Sequence, residues 1–193
     1  MTRTLLGLAL ALLALQDAGE TAPARDDRPA RPADDISIRV VTTEAGDLIL
    51  EEEVWVEAPV EAVWDAYTTS AGYMAWAAPL AEVDLRVGGL IRTNYAAGGA
   101  LGDENTNTLH ITAYVPLQLL TLRAELNKNW PDLMKQDADR LSNTILFDRM
   151  GPRLTRIRSY GIGYRDTPEY SALMKFFIQA NRGLYKVLKA HLE

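Results

Sequence analysis

No cysteine occurs in the chain, which removes disulfides, thiolate nucleophiles and cysteine-bound zinc together. Imidazole is almost as scarce: His110 and His191 are the two histidines, far apart in the chain, and no metal or cofactor is implied. Basic runs are missing as well. The net charge is −6, and no stretch of Lys or Arg offers the electrostatic footprint of a nucleic-acid binder, so nucleic acid is not an expected partner. The glycine pairs Gly88-Gly89 and Gly98-Gly99 do not open a helix at nucleotide-site spacing, and they read as turns rather than phosphate loops.

What the chain does contain is an ordinary globular balance. With 48% hydrophobic and 24% charged residues over 193 positions, it can fill one sizeable core and is too short to expect two. Arg3 followed by an uncharged apolar run at 5–15 has the make-up of a signal peptide, and the run is too short to cross a bilayer as a settled helix. Ala22-Pro23-Ala24 supplies the small residues that a signal peptidase reads, so residues 1–24 are expected to be removed. With no cysteine to carry a lipid, the mature protein is expected to be periplasmic or secreted, without a stable membrane anchor. Residues 25–35, rich in Pro, Asp, Arg and Ala and without apolar periodicity, read as a disordered linker, leaving 36–193 as one domain.

Alternation predicts strands at 36–41 and 48–56, joined by a turn at 44–47. Pro59 is placed as the first residue of a helix carrying Val60, Val63, Trp64 and Tyr67 on one stripe. Thr69 or Ser70 then caps a second short helix with Tyr73, Met74 and Trp76, ended by Pro79. Strand-type runs follow at 82–87, 90–95, 108–115, 119–126, 141–149 and 154–162, and their short separators predict an antiparallel meander. The segment 127–140 is a polar excursion with a helical turn, longer than a hairpin needs. Thr167 as N-cap and Pro168 at N1 announce a long closing helix. Its apolar stripe is Leu173, Phe177, Ala180, Leu184 and Leu188, broadened by Met174, Ile178 and Tyr185.

This order, with Ala58-Pro59-Val60-Glu61-Ala62-Val63-Trp64, Trp76, Asp84-Leu85-Arg86-Val87-Gly88-Gly89 and Tyr114-Val115-Pro116, resembles the START-like, or SRPBCC, superfamily with the helix-grip fold. Within it the chain is most similar to the heat-shock-protein ATPase activator homologues. The resemblance covers about 48–192. It implies an α+β architecture in which a curved antiparallel sheet wraps the terminal helix, with two short helices after the first core strand. Two features depart from the family: its members are mostly cytoplasmic, and the small-residue turn before the last strand is here Met150-Gly151-Pro152-Arg153.

A helix-grip fold leaves a hollow between sheet and helix, and alternation assigns its lining. Ile91, Thr93 and Tyr95 are expected inward, because burying Arg92 unpaired would be costly. Leu109, Ile111, Ala113 and Val115 are preferred inward over His110 and Tyr114, and Thr155, Ile157, Ser159, Gly161 and Gly163 make room on the last strand. Met174, Phe177 and Ile178 would close the hollow, Tyr67, Tyr73 and Trp76 would form its mouth, and Thr93, Tyr95 and Asn143 would orient a ligand. Each of these positions is also readable as core packing, the commoner role of an aromatic stripe at helical spacing. Glu51, Glu52 and Glu53 read as solvated edge charge, His110 and His191 as surface residues, Asp137, Asp139 and Arg140 as bland loop charge, and Arg149, Arg153, Arg156 and Arg158 as a cluster offset by acids such as Asp148.

No catalytic constellation is evident. The leading expectation is an exported protein that binds a hydrophobic or aromatic small molecule. The alternatives are an enzyme of the polyketide cyclase or dehydratase kind and a chaperone-associated interaction domain, both implied by the resemblance. Convergence of polar side chains on one pocket would favour the enzyme.

Overall fold

The computed structural model describes residues 29–193, so the expected signal peptide (1–24) and the start of the expected linker (25–28) lie outside the described residues. The strand β2 (Asp47–Val56) separates inside from outside: Leu48, Leu50, Glu52 and Val54 are buried on one face, while Ile49, Glu51 and Glu53 stay half-exposed. It pairs with β1 (Ile36–Thr42), so β2 is an interior strand rather than an edge.

Pro59 stands just before α1 (Val60–Thr68), one position earlier than expected: with φ −60° and ψ 147° it is extended, and its carbonyl accepts from the amides of Ala62 and Val63. Thr69 caps α2 (Ser70–Trp76), its hydroxyl accepting from the Gly72 amide at 3.0 Å. The meander then runs through β3 (Leu80–Val83), β4 (Leu90–Asn94), β5 (Asn107–Val115), β6 (Leu119–Glu125), β7 (Ser142–Gly151) and β8 (Leu154–Arg165). β8 returns to pair with β2, giving one eight-stranded antiparallel sheet in the order β1-β2-β8-β7-β6-β5-β4-β3. A short α3 (Asp132–Gln136) lies between β6 and β7, and α4 (Pro168–Leu192) closes the chain. This is the α+β helix-grip arrangement.

Two local expectations need correction. The third strand is shorter and earlier than 82–87, because residues 84–89 form the turn itself: the Asp84 amide reaches the Leu90 carbonyl, the Gly89 amide reaches Arg86, and Val87 is left exposed. In β5 the register shifts between Ile111 and Ala113, and one added residue reverses the faces beyond it. Tyr114 therefore turns inward, its ring 6.5 Å from that of Trp64, whereas Ala113 and Val115 are exposed.

Thr167 caps α4, accepting from the Tyr170 amide at 3.3 Å, and Tyr170, Met174, Tyr185 and Leu188 are its buried residues. They serve two apolar clusters. One gathers Val54, Val63, Trp64, Ile157, Tyr185 and Leu188, and the other gathers Leu50, Met134, Leu141, Tyr170 and Met174. Along β2 the boundary between the two falls at Glu52.

The excursion 127–140 is fastened by the acids and bases expected to be bland. Asp137 is buried and accepts from Arg165 Nε at 2.7 Å and from the Tyr170 hydroxyl at 2.9 Å, while Arg140 pairs with Asp47 at 2.7 Å. The chain returns so close to β8 that a Cβ on Gly163 would lie 2.0 Å from the Arg140 carbonyl oxygen; with φ at 93°, that position is doubly a glycine site.

The last residues of the expected linker are tied down by charge. Arg31 pairs with Asp35 and Glu57, and Lys189 on α4 donates to Asp35 at 3.1 Å and to the Trp55 carbonyl at 2.7 Å. The Arg31 guanidinium, opposed by partial burial and helped by Lys189, pulls the Asp35 carboxyl down to about 2. A depressed carboxyl adds stability above its unfolded value, and that stability is lost as pH falls through the folded value. Asp35→Asn is therefore expected to cost about 1 kcal/mol at neutral pH after discounting for solvent screening. In thermal melts the gap to wild type should shrink below about pH 4 and close near pH 2.

Candidate functional site

Between the two apolar clusters α4 meets the sheet through polar contacts at Glu52, and hollow space is left around them. A larger lobe of about 290 Å³ is lined by Leu50, Leu126, Trp130, Met134, Tyr164 and Phe177 among others. A smaller lobe of about 150 Å³ is lined by Tyr67, Tyr73, Trp76, Ile145, Leu184 and Tyr185. Glu52, Leu109, Leu122, Asn143, Ser159 and Asn181 line both, so the lobes share a waist that is mostly polar. A cavity of about 150 Å³ accommodates a benzene ring, so the larger lobe is of a size for a fused bicycle.

Glu52 is the centre of that waist. Asn181 donates to its Oε1 at 2.7 Å and the Tyr185 hydroxyl donates to its Oε2 at 2.5 Å. The Ser159 hydroxyl donates to Asn143 Oδ1 at 3.0 Å alongside. Burial raises the Glu52 carboxyl above the usual range, and the hydrogen bonds from Tyr185 and Asn181 oppose that rise. Burial, followed by the nearby Tyr67 phenol and Glu52 charge, also raises the Tyr185 phenol, which stays a hydroxyl donor at neutral pH. Among the residues lining either lobe there is no Lys, Arg or His.

The aromatic end of the hollow is rigid. The Tyr67 ring lies 4.9 Å from Trp76 and 5.2 Å from Phe147, and the Trp76 indole N–H donates to the Ala66 carbonyl at 2.9 Å. The Tyr67 hydroxyl is buried and has no hydrogen-bond partner among the described residues. Such a group is costly to leave in an apolar setting, and it faces the smaller lobe.

Of the residues expected to line a hollow, Tyr67, Tyr73, Trp76, Asn143 and Phe177 do so. Ile91, Thr93 and Ile111 are buried in the sheet away from it, and Met174 and Ile178 pack in the cluster beneath the excursion. Tyr95 is 54% exposed rather than inward, because β4 ends at Asn94, whose buried carboxamide binds the Ala100 carbonyl and Asp103 and turns the chain outward. Of the polar waist residues, Glu52 and Asn181 were not foreseen. Glu52 was expected on a solvated edge; instead β1 covers that edge, and strict alternation with Leu50 and Val54 carries its side chain inward. Asn181 continues the buried α4 stripe between Phe177 and Tyr185, a spacing visible in the sequence.

Several of the remaining charged groups are paired on the surface. His110 Nε2 lies 3.2 Å from Glu125, which the β5–β6 pairing brings beside it, and Arg156 and Arg158 share Asp148. An outer depression at Arg86, Arg92 and His110 is lined by the pairs Arg86–Asp84 and Arg92–Glu82. Among the described residues, no cluster of three or more His, Asp or Glu could hold a metal ion, and no helix is long and apolar enough to cross a membrane.

Residues 57–193 match the family described as Activator of Hsp90 ATPase homolog 1-like protein. The chain belongs to this family. Solved structures share its fold at low identity. Protein Ms6760 from Mycobacterium smegmatis is 18% identical at a TM-score of 0.57, covering 82% of this chain and 97% of its own. The Aha1 dimer from Colwellia psychrerythraea is 15% identical at 0.56, covering 75% and 96%. DynU16, from the dynemicin biosynthetic locus, is 16% identical at 0.55, covering 75% of this chain and 46% of its own. A comparison with curated proteins found no match. At such identities the shared property is the fold, and the activity of this member has to be read from its own hollow.

Proposed function

We propose that this member of the family binds a hydrophobic, aromatic small molecule in the hollow between the sheet and α4. The observation that carries the reading is the polar waist: Glu52, Asn143, Ser159, Asn181 and Tyr185 converge inside an otherwise apolar space. Apolar walls with a few convergent polar groups are the usual composition of a small-molecule site, the walls supplying affinity and the polar groups orientation. Core packing alone gives no reason to bury a carboxyl there. A thermal-shift screen of the mature protein with fused-ring aromatic compounds tests the reading. Stabilisation of several degrees by a subset of them is expected, and no shift from any of them would overturn it.

A second reading is favoured by Glu52 itself. A buried carboxyl held by a phenol and an amide, and raised by that burial, is the kind of group that can pass protons in a cyclisation or dehydration. Turnover of a bound hydrophobic substrate that is lost in Glu52→Gln while binding persists would move the assignment from carrier to enzyme. An Hsp90-directed role would rest on the family's description alone.

Export is part of the proposal and rests on Arg3 and the apolar run at 5–15. Mass spectrometry of the natural protein is expected to find Arg25 as its first residue. A retained N-terminus would contradict cleavage after Ala24.

A further inference from the structure

We propose that the ligand carries an amine, held as an ammonium ion at the waist with the Glu52 carboxylate as its counter-ion and its aromatic body in the larger lobe. This rests on the hollow being a binding site and names the chemistry it selects. Both oxygens of Glu52 accept hydrogen bonds, one from Asn181 and one from Tyr185, an arrangement suited to a carboxylate. A carboxylate oxygen can accept more than one hydrogen bond, and Glu52 lines both lobes. Among the described residues, the titratable groups that face it are the phenols of Tyr67, Tyr164 and Tyr185, which are neutral at physiological pH, and no Lys, Arg or His lines either lobe to balance its charge.

The rest of the hollow fits the same ion. An ammonium group has three N–H donors, and the waist offers side-chain oxygen acceptors on Glu52, Asn143, Ser159 and Asn181. The Trp130, Tyr164 and Phe177 rings of the larger lobe and Trp76 of the smaller present the π-systems that attract a desolvated cation. An anionic ligand meets the opposite conditions, since Glu52 repels it and the lining holds no Lys, Arg or His to receive it.

The test uses the full mature chain and three naphthalene probes of matched size: 2-(1-naphthyl)ethylamine, 2-(1-naphthyl)ethanol and 1-naphthylacetate. Calorimetric titration at neutral pH is expected to rank the amine tightest, by about tenfold or more over the alcohol, with the acetate weakest. In Glu52→Gln, checked for folding by its melting curve, the advantage of the amine over the alcohol should disappear. The wild-type ranking stands as a test even if that variant does not fold. Equal binding of amine and alcohol by the wild type would overturn the inference and leave the hydrophobic site intact. Binding of none of the three would remove the site and the inference together.

Discussion

Ala124→Phe is expected to abolish most binding in the hollow while leaving the protein folded. Ala124 lies on β6 and lines the larger lobe, whose volume of about 290 Å³ exceeds what one phenyl ring requires. A ligand ring displaced from that lobe forfeits on the order of 3 kcal/mol of buried apolar contact, which is roughly a 100-fold loss of affinity. Stability should change little, because the new side chain fills a gap rather than overpacking a filled core. Titration of wild type and variant with any aromatic compound that stabilises the wild type checks this. Unchanged affinity would mean that the ligand sits elsewhere.

Glu52→Gln has the opposite character: it should stabilise the protein as it harms function. Burial holds the folded carboxyl above its ordinary value, so between the unfolded value, near 4.3, and the raised one the native state binds more protons than the unfolded chain. Stability therefore falls as pH rises through that window and levels off above it. The variant has no such slope. Above the window wild type carries the cost of a buried charge that the hydrogen bonds from Asn181 and Tyr185 offset only in part, so the variant should be the more stable of the two. Each kcal/mol corresponds to a rise of about 2 to 4 °C in Tm for a chain of this length. Below about pH 4 the two should converge. Melting curves from pH 3 to 9 check it, and a wild-type profile without the slope would contradict the burial of a titrating carboxyl. A stability cost retained at one position is what a functional site looks like in an otherwise consistent sequence.

The architecture was legible because each element carries its own local signal. Thr167-Pro168 started α4 where expected, Thr69 capped α2, and short turns left the meander few other pairings. Where pattern reading failed, one residue had changed the count. The bulge at Ile111/Ala113 is one such place: nothing in Thr112 announces it, and it alone decides that Tyr114 rather than Val115 meets Trp64. Tyr95 fails for a related reason, since its strand stops one residue earlier at an asparagine that organises the following loop.

The site was half legible. The aromatic wall of Tyr67, Tyr73 and Trp76 follows from helical spacing, but its polar centre was obscured by composition. Three consecutive glutamates look like solvated charge, and only the order of strands, with β1 outside β2, shows that the middle one is enclosed. Period two along Leu48, Leu50, Glu52 and Val54 already put Glu52 on the apolar face; the competing rule against buried charge is the one that misled. Asn181 was masked in the same way by its apolar neighbours on α4.

The account depends on empty space beside Glu52, and crystals of the mature protein soaked with 1-bromonaphthalene measure that space directly. Anomalous scattering from bromine is expected between α4 and the sheet, within the lobe bounded by Leu50, Met134 and Phe177. Bromine found only on the outer surface, with side chains in contact across the gap, would contradict it.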